Sequence, residues 1–270
     1  MKNDRENTKM NLLHKTFNSI TNLNRYSYFC ESSLGKAILY LFLISVSFGI
    51  FGAARETMET NFEIYDLVQV YNKKITDVQI KDGQLKIDGK MPIVISNRNN
   101  NYYIIDTSGK TDQSVLNSYD RGVLILKDKL IQKIDQQNTL VTNFASLGSI
   151  TITKDTINGY LPLIRHIPLF IIIRTIVRYF MGGILVAAAV SICTLILDAK
   201  LKTNLGFENI YKISIYSLTT PLLINSILSM LKLNIPYWSL IYVLTTLVFT
   251  ILVIKYHEKQ TFKYNNLFVN

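Results

Sequence analysis

The side chains best placed to do chemistry in this sequence are polar residues inside apolar runs. Ser214, Ser217, Pro221, Asn225 and Ser229 recur at three- and four-residue spacing within 213–231. On a helix they fall in one stripe. Pro221 has no N–H and leaves the Ser217 carbonyl without its helical donor. In lipid such a group needs a neighbouring helix, a hydroxyl or water. Two uses fit: a polar seam for a ligand, a partner or a moving kink, or routine glue between helices around a static kink. Arg174 and Arg178 lie one helical turn apart. The plainer expectation puts them on an interfacial helix, where they reach anionic headgroups. The sharper one turns them into the helix bundle, toward an anionic group or a buried carboxylate.

Enzyme motifs are missing. There is no H-E-x-x-H, no G-x-S-x-G and no glycine-rich phosphate loop, so neither zinc hydrolysis, a nucleophile elbow nor a nucleotide cradle is signalled. Asp82, Asp88, Asp106 and Asp112 fall near turns, where aspartate commonly bonds the local backbone. Their spacing is not that of an EF-hand. His14, His166 and His257 stand far apart, and Cys30 and Cys193 lie outside the polar segment. The expectation is no catalytic residue, no metal and no cofactor.

Apolar helices must position these residues. The stretch 167–198 is strongly apolar, and its second half reaches the ~20 residues that a helix needs to cross a hydrocarbon core of roughly 30 Å. Residues 37–54 form a first span, 213–231 a third and the run ending at Ile254 a fourth. The small residues Ser45, Gly49 and Ala53 repeat every fourth position, as do Gly183, Ala187 and Ser191. Such stripes let backbones approach, so the first and second spans are expected to pack along them. Asn234-Ile235-Pro236 reads as a tight turn, followed by Tyr237 and Trp238 at an interfacial position.

Between the first two spans lies a polar segment, 55–160. Its 13 basic and 13 acidic residues balance. Ile64, Leu67, Val68 and Tyr71 have helical spacing and continue the first span. Asp82-Gly83 between alternating runs signals a hairpin. MPIVISN, NYYIIDT, GVLILKD and LIQKI read as strands, 136–147 as a helix and SITIT as a last strand. The expected fold is a multi-pass α-helical membrane protein with four transmembrane helices and a small α+β extracytoplasmic domain of five to seven strands inserted after the first. The segment 161–270 would hold an interfacial helix, three spans and a tail. In the basic leader, 1–36, Met10, Leu13, Phe17 and Ile20 fit a short surface helix or a partly ordered tail.

The net charge of +10 does not signal nucleic acid, because the excess flanks apolar runs. Six basic residues in the leader, three after the second span and three in the tail put both termini inside under the positive-inside rule. The long polar loop translocates largely regardless of its charge.

A series of short motifs, in this order, carries a resemblance: Asn24-Arg25-Tyr26, Gly35-Lys36-Ala37-Ile38-Leu39-Tyr40, Ile80-Lys81-Asp82-Gly83-Gln84-Leu85, Ile104-Ile105-Asp106-Thr107 and Tyr216-Ser217-Leu218-Thr219-Thr220-Pro221. The chain resembles the domain of unknown function 1189 family of Gram-positive membrane proteins, whose helical part is similar to Yip-type proteins. The resemblance implies a bacterial plasma-membrane protein, and some members carry a maltodextrin-utilisation label. It implies no catalytic residues. The functional expectation is a non-enzymatic protein that binds or regulates a partner complex, with the bilayer and an unidentified membrane protein as partners and homo-oligomerisation open. The alternative is an accessory subunit of a solute transporter, or a small carrier.

Overall fold

The computed structural model describes residues 16, 19, 32–96, 101–148, 151–201 and 205–267. The expected surface helix of the leader lies outside the described residues. The chain divides into two compact units, one of residues 57–170 and the other of 1–56 with 171–270.

In the first of these, helix α1 (Leu34–Lys74) brings Leu67, Val70 and Tyr71 onto a core with Ile75, Val78, Leu85, Ile93, Ile105 and Phe144. Strands β1 (Asp77–Lys81) and β2 (Gln84–Asp88) form the expected hairpin. Asp82 and Gly83 both have positive φ, 51° and 72°, as a two-residue turn matched to strand twist requires. A Cβ on Gly83 would come within 2.9 Å of the Ala145 backbone, so glycine is needed there on two counts. Strand β8 (Ile152–Thr153) adds antiparallel to β1.

The second sheet runs β3 (Ile93–Ser96), β4 (Asn101–Asp106), β5 (Arg121–Leu126), β6 (Lys129–Lys133), β7 (Thr139–Asn143) in spatial order. All neighbours are antiparallel except β4 and β5. That parallel pair needs a crossover, made here through a 3-10 turn at Gln113–Ser118. Adjacent Ile104 and Ile105 point to opposite faces and enter two cores, Ile104 joining Leu116, Leu124 and Ile131. Lys133 is buried, and its ammonium donates to the carbonyls of Leu116 and Tyr119 at 3.1 and 2.7 Å. It thereby fixes the crossover to β6.

Two expectations are corrected. Eight strands are described, not five to seven. Residues 136–147 are not a helix but a turn, then β7, then a 3-10 turn at Phe144–Leu147. The Asp135 carboxylate accepts from the backbone of Gln137 and Asn138, which closes a hairpin, and the Thr-Leu-Val-Thr run, β-branched at Thr139, Val141 and Thr142, then prefers extended backbone.

In the other unit, α3 (Ile167–Leu201) follows the short α2 (Lys154–Ile164) of the first unit in sequence. It packs with the start of α1, with α4 (Phe207–Ser217), α5 (Thr219–Leu231) and α6 (Trp238–Leu267). Among the described residues, four helical segments are long and apolar enough to cross a membrane: 34–74, 167–196, 207–231 and 238–256. Hydroxyls inside them bond their own backbone one turn back. Thr175 donates to Ile171, Ser191 to Ala187, Thr194 to Val190, Thr246 to Tyr242 and Thr250 to Thr246. This lets these five residues sit in apolar helices without an unmet hydroxyl.

Candidate functional site

The segment expected to form the third span is two helices rather than one. It begins at Phe207 and breaks at Leu218. Pro221 falls in the first turn of α5, where a missing N–H is tolerated, and the Leu218 N–H bonds back to Ser214 and Ile215. The Thr219 hydroxyl takes up the Tyr216 carbonyl at 2.7 Å and pairs with Tyr40 of α1 at 2.8 Å. The Tyr40 and Tyr216 rings lie 4.7 Å apart. The break is therefore closed by side chains that are almost fully buried. Tyr40 and Thr219 each fall in a motif that carries the resemblance, but their pairing was not legible, because the contact spans 179 positions.

The expected polar stripe is distributed among different partners. The Ser214 hydroxyl pairs with that of Ser191 of α3 at 3.1 Å. Ser217 is buried, and its hydroxyl has no hydrogen-bond partner among the described residues; Ser45 is alike. Pro221 is buried. Asn225 accepts from the Trp238 indole at 2.8 Å, and Ser229 pairs with the Tyr179 hydroxyl at 3.3 Å.

Small residues sit where helices meet, though not stripe against stripe. A Cβ on Gly49 would come within 2.9 Å of Ile176, and one on Gly183 within 3.0 Å of Leu41. Each glycine thus receives a branched side chain from the other helix. Ala53 and Ala187 are buried, and Ser191 faces α4 rather than α1.

Arg174 and Arg178 do not lie on a separate interfacial helix. Residue 167 opens a helix that runs unbroken to Leu201, because Pro168 falls in its first turn, where proline is tolerated. Arg174 grips both oxygens of Glu56 at 2.8 and 2.9 Å. Glu56 lies just past the first apolar run, and its pairing with a residue 118 positions away was not legible. Arg178 lies over the ring of Tyr179, 5.7 Å from its centroid. Among the described residues no carboxylate pairs with it.

Arg178 also borders an open-sided cavity of about 440 Å³ between α3, α5 and α6. Arg178, Asn225, Ser229 and Ser239 supply polar atoms; Val186, Leu222 and Val243 supply an apolar wall. Gly182 has open space where a Cβ would stand. The size falls within the roughly 300–1,000 Å³ of small-molecule pockets. Among the described residues no group of three metal-ligating side chains occurs.

Four apolar helices of membrane-crossing length, with an α+β unit inserted after the first, define a class of helical protein with a folded polar insertion. Within it the chain belongs to the family described as "Protein of unknown function (DUF1189)", whose model matches residues 13–254. This confirms the resemblance drawn from motif order. No curated protein and no solved structure matches the chain.

Proposed function

We propose that this is a non-enzymatic, multi-pass bacterial plasma-membrane protein that displays residues 55–160 outside the cell, keeps both termini inside, and binds a partner membrane protein. The observation that carries the binding role is the edge strand β7. Among the described residues it pairs on one side only, with β6. Leu140 and Val141 are 53% and 46% exposed. Phe144 donates to Asp128 and Ile134 to Asn138, so by antiparallel alternation Thr139, Val141 and Asn143 turn their backbone groups to the open edge. Folded proteins normally blunt such an edge with charge or proline. Left apolar, it suits an added strand from a partner, with main-chain hydrogen bonds for affinity and the two side chains for selectivity. Asn225 and Ser229, half-buried at the cavity beside the broken third span, give a second surface, inside the bilayer.

Pull-down of the full chain from its native membrane in mild detergent tests this. A stoichiometric membrane protein should be recovered, and Leu140→Lys with Val141→Lys should abolish recovery while leaving the yield of the chain unchanged. Undiminished recovery with the double variant refutes the edge as the docking site. The cavity and the interrupted helix support a second reading, an accessory transporter subunit or a small carrier, since broken helices beside a central cavity are a transporter device. Solute flux into liposomes holding only this chain would favour the carrier.

A further inference from the structure

The geometry points to the cavity between α3, α5 and α6 as a binding site for one anionic glycerophospholipid, its headgroup at Arg178 and one acyl chain along Val186 and Leu222. This rests on the helices lying in a bilayer and is independent of the β7 edge. Two arginines on one face have different fates. Arg174 is neutralised by Glu56. Arg178, one turn further along α3, borders the cavity, and no carboxylate pairs with it among the described residues. A guanidinium at membrane depth without a counter-charge is costly and calls for an anion; its planar fork fits phosphate oxygens.

The neighbouring polar groups are set for the same task. The Trp238 indole can only donate, so its bond to Asn225 fixes the amide oxygen toward the indole. The amide N–H₂ donates no hydrogen bond among the described residues and stays available to an acceptor. Ser229 and Ser239 add hydroxyls beside it. From Arg178 to Val186, α3 rises about 12 Å, and over that length the lining passes from cationic and polar to apolar. A free phosphate would use only the first part; a lipid uses both. Gly182, with open space at its Cβ position, leaves room for the chain.

Native mass spectrometry of the full chain tests this, with the protein delipidated and then offered phosphatidylglycerol, phosphatidylcholine of the same chains, or glycerol 3-phosphate. The wild type should hold one phosphatidylglycerol through detergent exchange, release phosphatidylcholine and ignore glycerol 3-phosphate. Arg178→Gln should reduce retention about tenfold or more, the scale of losing charge-assisted hydrogen bonds, and Arg178→Lys should restore part of it. Gly182→Leu should lose the lipid with the charge intact, which separates site occupancy from any folding fault at position 178. Arg174→Gln should retain it. Equal retention of both lipids, binding of glycerol 3-phosphate as tight as that of lipid, wild-type retention by both Arg178→Gln and Gly182→Leu, or no lipid on the wild type would each overturn the assignment.

Discussion

Asp106 shows how a carboxylate can be buried without being catalytic. It ends β4, is fully buried, and accepts from the Ser108 N–H at 2.8 Å, the Ser108 hydroxyl at 2.6 Å and the Thr111 hydroxyl. Burial acts to raise its pKa, but these hydrogen bonds to the charged form outweigh it and hold the carboxyl below the ordinary aspartate value. Its stabilising contribution is therefore fully present above the unfolded pKa of about 3.9 and is lost as pH falls through the lower folded value. Asp106→Ala leaves three donors unmet and should cost roughly 1–3 kcal/mol at neutral pH. Thermal unfolding followed by near-UV dichroism should show that deficit near neutrality and its shrinkage in strong acid. A deficit that does not change with pH would contradict the assigned role. The sequence placed Asp106 near a turn with a local bonding role, and that much was legible because both partners lie within five positions of it.

Among the elements, local chemistry was the most readable. Asp82-Gly83 announced its hairpin because only residues tolerant of positive φ fit there. The 136–147 stretch misled because Gln-Gln-Asn-Thr and Phe-Ala-Ser-Leu carry no strong strand signal. The strand depends on pairing with β6, a tertiary fact, and on the Asp135 turn, a local one within three positions. The meeting of the first and second apolar helices was legible from small residues, but not which side chain fills each gap. That gap filling gives a direct expectation. Ile176 fills the space beside Gly49, 2.9 Å from where a Cβ would stand, whereas Gly182 faces open space. Gly49→Leu should therefore destabilise the helix pair by roughly 1–3 kcal/mol through overpacking, seen as a lower melting temperature in detergent. Gly182→Leu should melt close to the wild type. If both melt alike, the close approach at Gly49 is not what holds these helices together. The break at Leu218 was legible only as a kink at Pro221, since its closure depends on Tyr40, a whole helix away.

At the scale of the whole molecule, apolar length was the most informative feature. The four long apolar segments were readable because lipid demands ~20 residues per crossing, and side-chain neighbours are not needed to count them. The sites were less readable. Arg174 and Arg178 looked equivalent in sequence, yet one meets Glu56 and the other borders a cavity. Binding of an outside partner at the β7 edge depends on orientation in the bilayer, and that can be measured directly. In a chain with Cys30→Ser and Cys193→Ser, single cysteines at Gln137→Cys and Lys259→Cys would be probed on intact cells with a membrane-impermeant maleimide. The account expects Gln137→Cys to label at once and Lys259→Cys to label only after permeabilisation. Labelling in the opposite order would contradict it, turning the β7 edge to the cytoplasm and away from any partner outside.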